Sequence, residues 1–100
     1  MAARYTVEEI KNIIAPIAER HGVAKVSLFG SYARGTASED SDVDLLIDKG
    51  RLRSIYDLSG FRLDCEDALD IPVDLVTSAS ENKRFLDRIG KEAMMIYVGT

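Results

Sequence analysis

Apolar and polar positions along the chain follow spacings that predict its helices and strands. Four isoleucines recur at the three-to-four-residue spacing of an amphipathic helix, namely Ile10, Ile13, Ile14 and Ile17. They predict a helix over residues 6–20, which Thr6 and Glu9 would begin as a capping box. Because Pro16 lacks a backbone donor and clashes one turn back, we expect a kink or a shortened helix. The His-Gly pair at residues 21–22 would close this helix.

Short apolar runs bounded by glycine or polar residues predict four strands. These runs cover residues 24–29, 43–48, 72–77 and 93–98. The second run is apolar enough for a central strand, and the fourth would lie at an edge or against a partner. Between the strands we expect helices, which cover residues 31–34, 51–70 and 80–90, the last ending at Gly90.

The helix expected over residues 51–70 has one apolar face, made of Leu58, Phe61, Cys65, Ala68 and Leu69. Gly60 lies within this helix and weakens it by about 1 kcal/mol relative to alanine. Cys65 falls on the apolar face and is therefore expected in the core. As the single cysteine of the chain, it cannot form an internal disulfide, which fits a reducing cytoplasm.

Size and charge limit the kinds of protein that this chain can be. Its 100 residues are expected to form one domain, over residues 1–100, with a single core. No apolar run approaches the roughly 20 residues of a membrane span, and the N-terminus lacks the apolar core of a secretory signal. We therefore expect a cytoplasmic protein without membrane contact. The net charge of −4 argues against a dedicated nucleic-acid binder, but not against a nucleotide bound with magnesium.

The dipeptide Gly30-Ser31 follows the first predicted strand and precedes a short helix. A glycine there permits a sharp turn and a close approach of a ligand to the backbone. The N–H groups at the start of the helix, the Ser31 hydroxyl and the Arg34 guanidinium could then hold a phosphate. The alternative is a plain helix cap with Arg34 in solvent.

Asp42 and Asp44 open the second predicted strand. Side chains two residues apart on a strand share a face, so both carboxylates would converge while Val43 enters the packed face. Magnesium neutralises such a pair, because it prefers oxygen ligands from carboxylates and phosphates. The alternative is an acidic loop end in which Glu39 and Asp40 continue the run into solvent.

Asp74 has apolar neighbours in the third predicted strand. A carboxylate among such residues is costly unless it is paired, hydrogen-bonded or bound to metal. Three carboxylates on adjacent strands can hold two metal ions that clamp an in-line displacement. Asp74 would also be placed to take a proton from an incoming hydroxyl. The alternative is an aspartate that caps a turn at the end of the strand.

Other candidates remain open at the level of sequence. Tyr32 follows the glycine turn and could stack on a base or pack in the core. His21 stands at a helix end and is expected only to help the C-cap. The sequence does not decide between ligand contact and solvent for Lys25 and Arg51.

The spacing of Gly30-Ser31 and Asp42-Val43-Asp44, with Asp74 on a later strand, resembles the signature of the DNA polymerase β-type nucleotidyltransferase superfamily. Within this superfamily, the sequence Leu-Phe-Gly-Ser-Tyr-Ala-Arg-Gly over residues 28–35 is similar to that of the minimal nucleotidyltransferases, the MNT proteins. The resemblance implies an α/β (α+β) fold, a small mixed sheet of about four strands flanked by helices. It also implies a nucleoside triphosphate, ATP, held with two Mg²⁺ ions and attacked at its α-phosphate.

Carried over by position, the resemblance implies roles for all six site residues. Gly30 and Ser31 would hold the triphosphate, with Arg34 assisting. The metal ligands would be the three carboxylates, Asp42, Asp44 and Asp74, of which Asp74 would be the third ligand or the base. No acidic position of the motif is missing.

The resemblance further implies a partner, a small helical protein of the HEPN type. In that pairing the chain would be the antitoxin of a type VII-like toxin–antitoxin system and would transfer AMP to a tyrosine of the toxin, forming a hetero-oligomer with it. The apolar segment over residues 93–98 could be a docking edge or an ordinary core strand. Two alternatives stay open: an antitoxin that neutralises by binding alone, and a nucleotidyltransferase subunit that modifies a small molecule with help from a helical partner.

Overall fold

The computed structural model describes residues 3–78 and 82–99. Helices and strands alternate along this part of the chain. They are α1 (Val7–His21), β1 (Lys25–Phe29), α2 (Ser31–Arg34), β2 (Val43–Asp48), α3 (Ile55–Leu69), β3 (Val73–Thr77), α4 (Lys83–Glu92) and β4 (Met94–Val98).

The four strands form one mixed sheet in the order β3-β2-β1-β4. Strand β1 pairs antiparallel with both β2 and β4, whereas β2 and β3 run parallel. The helix α3 supplies the crossover that a parallel pair requires. The mixed sheet flanked by helices confirms the predicted fold class, with β2 in the centre and β4 at an edge.

The helices α1 and α3 cover one face of the sheet. Alternate residues of the central strands point into this layer and are completely buried: Val26, Leu28, Val43, Leu45 and Ile47. They belong to one apolar cluster with Ile10 and Ile14 of α1 and with Phe61, Cys65 and Leu69 of α3. Burying a side chain of this size stabilises the fold by about 1.5–3 kcal/mol. This core leaves the other face of the sheet for polar groups.

The first helix begins and ends as the sequence predicts, but Pro16 does not shorten it. Thr6 and Glu9 form the reciprocal capping box, and Gly22 ends the helix in the left-handed conformation. Pro16 lies on the exposed side of α1, so its ring avoids the core and only one helical hydrogen bond is lost. The helix is therefore not shortened, and the other expected effect of Pro16, a kink, stays a prediction.

The third helix is shorter than predicted. It begins at Ile55 rather than at residue 51, because Ser54 caps it and the Asp57 side chain bonds back to the Ser54 backbone. Four members of the predicted apolar face are buried or half-buried, but Ala68 is exposed. Its small side chain adds little to the packed face.

The last helix runs through Gly90 and ends at Glu92, two residues later than predicted. Gly90 keeps a negative φ, so it does not form the left-handed cap that a terminal glycine usually provides. Instead, Ala93 turns to extended geometry and leads directly into β4. Residues 80 and 81 of the predicted helix lie outside the described residues.

The polar face of the sheet is partly covered by α4. The Phe85 ring of α4 lies edge-on to Phe29 of β1, with ring centroids 6.4 Å apart, and Ile89 is buried. Within residues 3–78 and 82–99, no helix combines the length and apolar character that a membrane span would need.

Candidate active site

Strand register brings the predicted site residues to one end of the sheet. Phe29 is opposite Asp44 in the antiparallel pair, and Asp44 is opposite Asp74 in the parallel pair. Directly opposite residues share a face, with Cβ atoms about 4.5–5.5 Å apart in antiparallel pairs. The turn at Gly30 follows Phe29 at once, so the glycine, Asp44 and Asp74 lie together.

Gly30 can only be a glycine in this arrangement. Its φ of 75° and ψ of −153° lie in a region that side chains rarely adopt. A Cβ atom built on Gly30 would also collide with the Oδ2 atom of Asp44. Because residue 30 has no side chain, the backbone of the turn can lie close to the Asp44 carboxylate. The following helix, α2, begins without a side-chain cap.

Asp42 and Asp44 follow the alternation that the sequence predicts. Val43 between them is buried, Asp42 is exposed and Asp44 is half-buried. Glu39 and Asp40 remain exposed in the preceding loop. Of the four acidic residues in this run, Asp44 is therefore the one that is partly buried, and the other three are exposed.

The pKa of Asp44 is raised from 3.8 to about 6. Burial contributes most, followed by the negative charge of Asp74, a hydrogen bond to Asp74 and the charge of Asp42, while the positive charge of Arg34 acts in the opposite direction. Burial and like charges both disfavour the ionised carboxylate. The site therefore carries negative charge that a bound cation would neutralise.

The donor set fits a magnesium ion in its chemistry, since carboxylate oxygens are hard ligands. Within residues 3–78 and 82–99, however, no three acidic, histidine or cysteine side chains already converge as a metal site. Asp44 and Asp74 are adjacent, whereas Asp42 acts on Asp44 through charge alone. The predicted roles of Asp42, Asp44 and Asp74 as ligands stay a prediction.

Arg34 is exposed but paired, and its partner was missed by sequence reasoning. Its Nη1 atom donates to both carboxylate oxygens of Glu92 at 3.2 Å. The backbone N–H of Gly30 donates to Oε1 of the same glutamate at 3.2 Å. A carboxylate from the end of α4 thus occupies two of the donors that were predicted to hold a phosphate, and Ser31 is not among them.

The contact between Glu92 and Gly30 follows from strand pairing, and no local sequence motif indicates it. Leu28 pairs with Met94 in the antiparallel ladder, so two steps beyond them Gly30 and Glu92 come to face each other. Predicting this contact requires knowing that β4 pairs with β1. Apolar patterning identified β4 but could not name its neighbour.

The structure also shows the surroundings of the residues whose roles the sequence left open or expected to be structural. Tyr32 is buried and packs in the core, and its hydroxyl lacks a partner among the described residues. Burial is the main cause that raises the pKa of the Cys65 thiol to about 12. The Nε2 atom of His21 lies 2.7 Å from Oδ2 of Asp64 on α3, so this residue ties two helices together rather than capping one. Lys25 and Arg51 are exposed.

Comparison with known proteins agrees with this geometry. The family described as "Polymerase beta, Nucleotidyltransferase" matches residues 9–99. The chain is 35% identical over 98 residues to the protein adenylyltransferase MntA of Thermococcus cleftensis, covering 94% of this chain and 99% of that one. It is 41% identical over 88 residues to a Methanocaldococcus jannaschii protein that is provisionally named a protein adenylyltransferase, covering 88% and 95% of the two chains.

Solved structures show the same fold. A protein provisionally described as a minimal nucleotidyltransferase superposes with a TM-score of 0.78 at 31% identity, covering 93% of this chain and 98% of that one. A chain from the complex of a tri-AMPylated Shewanella oneidensis HEPN toxin with an MNT antitoxin gives a TM-score of 0.71 at 18% identity, covering 92% and 72%. The second likeness is one of fold.

The family match covers nearly the whole chain, and it agrees with a site built around Asp44 and Asp74 at one end of the sheet. This chain is a nucleotidyltransferase and belongs to the polymerase β family, among its minimal nucleotidyltransferases.

Proposed function

We propose that this protein is a magnesium-dependent protein adenylyltransferase that transfers AMP from ATP to a tyrosine hydroxyl of a HEPN-type helical toxin. In this role it is the antitoxin of a type VII-like pair. The observation that carries the proposal is the register of Asp44 opposite Asp74, with the Gly30 backbone held against Asp44. The name of the relative MntA, a protein adenylyltransferase, supports the same activity, and the complex of a HEPN toxin with an MNT antitoxin of the same fold supports the kind of partner.

The triphosphate would be held at the turn between β1 and α2. Gly30 offers a backbone N–H, Ser31 a half-buried hydroxyl and Arg34 a positive charge. Backbone donors and a guanidinium together suit phosphate oxygens. The adenylyl group of ATP would then lie near the start of β2, which Asp42 precedes and in which Asp44 is the second residue.

Asp42, Asp44 and Asp74 would hold the magnesium, with two ions expected. When bound, the ions offset the charge on the phosphates and on the carboxylates. In the transfer, a bond forms between the acceptor oxygen and the α-phosphorus, and the bond to pyrophosphate breaks. The proton of the acceptor hydroxyl goes to Asp74, which is exposed and therefore accessible to an incoming group.

In this proposal the HEPN-type partner supplies the acceptor. Strand β4 is an edge strand in which Ile96 is buried while Met95 and Val98 are 60% and 55% exposed. The segment is thus both a core strand and an apolar edge, and it is a candidate surface for the hetero-oligomer. The proposal places the enzyme in the cytoplasm, with its partner.

The test is transfer of label from [α-³²P]ATP to the product of the neighbouring gene in the presence of magnesium. We expect label on the partner with the wild-type protein and none with the Asp42→Asn, Asp44→Asn double variant. Asp40→Asn is the matched control, because it changes an exposed aspartate in the adjoining loop and should retain transfer. Label that is independent of the double substitution would contradict the proposed catalytic site.

The same double variant and the same partner, in two further assays, distinguish the two remaining functions. If the double variant still protects cells and still co-purifies with the partner, neutralisation proceeds by binding alone. If the partner takes no label but stimulates pyrophosphate release with a hydroxylated small molecule, the chain is a small-molecule transferase subunit. The half-buried Asp44 beside Asp74 favours the catalytic outcome, because carboxylates whose pKa is raised by burial and by a neighbouring carboxylate are typical of catalytic sites.

A further inference from the structure

The carboxylate of Glu92 occupies the place of an anion in the nucleotide site. It accepts from the Gly30 backbone and from the Arg34 guanidinium, each at 3.2 Å. These are the donors that would bind a phosphate. The glutamate side chain is 31% exposed and the arginine side chain 52% exposed, so water can reach both partners.

The Glu92 contact is not the sole contact between α4 and the sheet. Ile89 of this helix is buried and Phe85 packs edge-on against Phe29. A partly exposed ion pair such as Arg34–Glu92 contributes only about 0–1 kcal/mol to stability. The contact is weak enough to be exchanged for a ligand.

A carboxylate and a phosphate cannot both accept from the Gly30 N–H, although the Arg34 guanidinium has N–H donors besides those that Glu92 uses. Both are anions, and at hydrogen-bond separation their repulsion is unfavourable even in a solvated site. The Gly30 N–H is a single donor directed at one acceptor. Binding of a phosphate there requires Glu92 to leave.

Resting on the proposed function, we propose that Glu92 is an internal competitor for the triphosphate, a residue of the nucleotide site that sets its affinity for phosphate. It satisfies Gly30 and Arg34 while no nucleotide is bound and is displaced when the triphosphate binds. It acts on the phosphate part of the ligand and has no effect on the nucleoside part.

The test is calorimetric titration of ATP, inorganic triphosphate and adenosine into the wild-type protein and Glu92→Gln, with magnesium present throughout. Because the lost competitor is a weak ion pair, we expect Glu92→Gln to bind ATP and triphosphate about 3- to 10-fold more tightly. Adenosine affinity should stay unchanged. Glu19→Gln is the matched control, since it makes the same charge change at an exposed position on α1 and should bind all three ligands as the wild type does.

The outcomes separate this inference from the function beneath it. If the wild type binds neither ATP nor triphosphate, the proposed nucleotide site fails and the role of Glu92 fails with it. If the wild type binds both but Glu92→Gln binds them equally or more weakly, only the competitor role is overturned. A gain that Glu19→Gln reproduces would likewise overturn it, as a general charge effect.

A second measurement keeps the test independent of folding. The backbone amide resonance of Gly30 in ¹⁵N-labelled protein should move in ligand-free Glu92→Gln but not in Glu19→Gln, because only the former changes its acceptor. Triphosphate should move the same resonance in the wild type. An unchanged Gly30 resonance in a folded Glu92→Gln protein would contradict the contact itself.

Discussion

Replacing Asp44 with asparagine removes a negative charge that the folded protein holds at a cost in stability. Burial and the nearby carboxylates raise the pKa of Asp44 from 3.8 to about 6. If undiminished, this rise would correspond to about 3 kcal/mol. Since the side chain is only half-buried, solvent screening reduces the figure to about 1–2 kcal/mol. We therefore expect Asp44→Asn to stabilise the metal-free protein by that amount while abolishing transfer.

The sign of the pH dependence follows from the direction of the shift. The folded state holds the Asp44 proton more tightly than the unfolded state, so the penalty is absent below pH 3.8, grows with pH, and is complete above pH 6. The advantage of Asp44→Asn should therefore be close to zero near pH 4 and full at pH 7.5.

Urea denaturation in EDTA at both pH values measures this difference, with Asp40→Asn as the control for loss of an exposed charge. Magnesium chloride should then stabilise the wild type more than sodium chloride of equal ionic strength does, and should stabilise Asp44→Asn less. A variant that is less stable than the wild type at pH 7.5, or an advantage that is the same at pH 4, would refute the explanation by charge.

Four further experiments have defined outcomes. Gly30→Ala should destabilise the protein by about 2 kcal/mol or more and weaken ATP binding, because the turn is strained for a side chain and the new Cβ meets Asp44; urea denaturation measures it. Gly90→Ala, in an open helical position, should instead add about 0.5–1 kcal/mol. His21→Ala should cost about 1–2 kcal/mol in the same assay, through the lost hydrogen bond and ring contact to α3. Cys65 should resist iodoacetamide in the native protein and react only after denaturation, as mass spectrometry would show, because its thiol is buried and its pKa is about 12.

Local geometry explains which parts of the site were predictable. The period of two along a strand determines the relation of Asp42, Val43 and Asp44 from their spacing alone, because a strand offers no other arrangement. The glycine at residue 30 was equally informative, since its backbone conformation excludes other residues. The fold class followed from the same patterns, together with the family resemblance.

Contacts between distant elements were not predictable in the same way. Glu92 reaches Gly30 only because β4 pairs with β1, and nothing local to either residue reports that pairing. The end of α4 was misplaced for a related reason: Gly90 is a usual stop signal, yet the entry into β4 determines where the helix ends. His21 was read as a cap, whereas its partner lies on α3.

The order of strands also determines how an acceptor can approach. In an in-line transfer, the attacking oxygen lies opposite the leaving pyrophosphate. The proposed triphosphate donors are at the end of β1, beside α4, and Asp44 follows on β2, so the acceptor must lie beyond it over β3. A groove of about 360 Å³ between α3 and β3 lies on that side, with Leu58, Arg62 and Asp74 among its lining residues. The nucleotide side is occupied by α4 and Glu92, whereas Asp74 is exposed. In the proposed function, a partner that docks elsewhere on the domain, including on β4, would therefore still present its hydroxyl from the β3 edge.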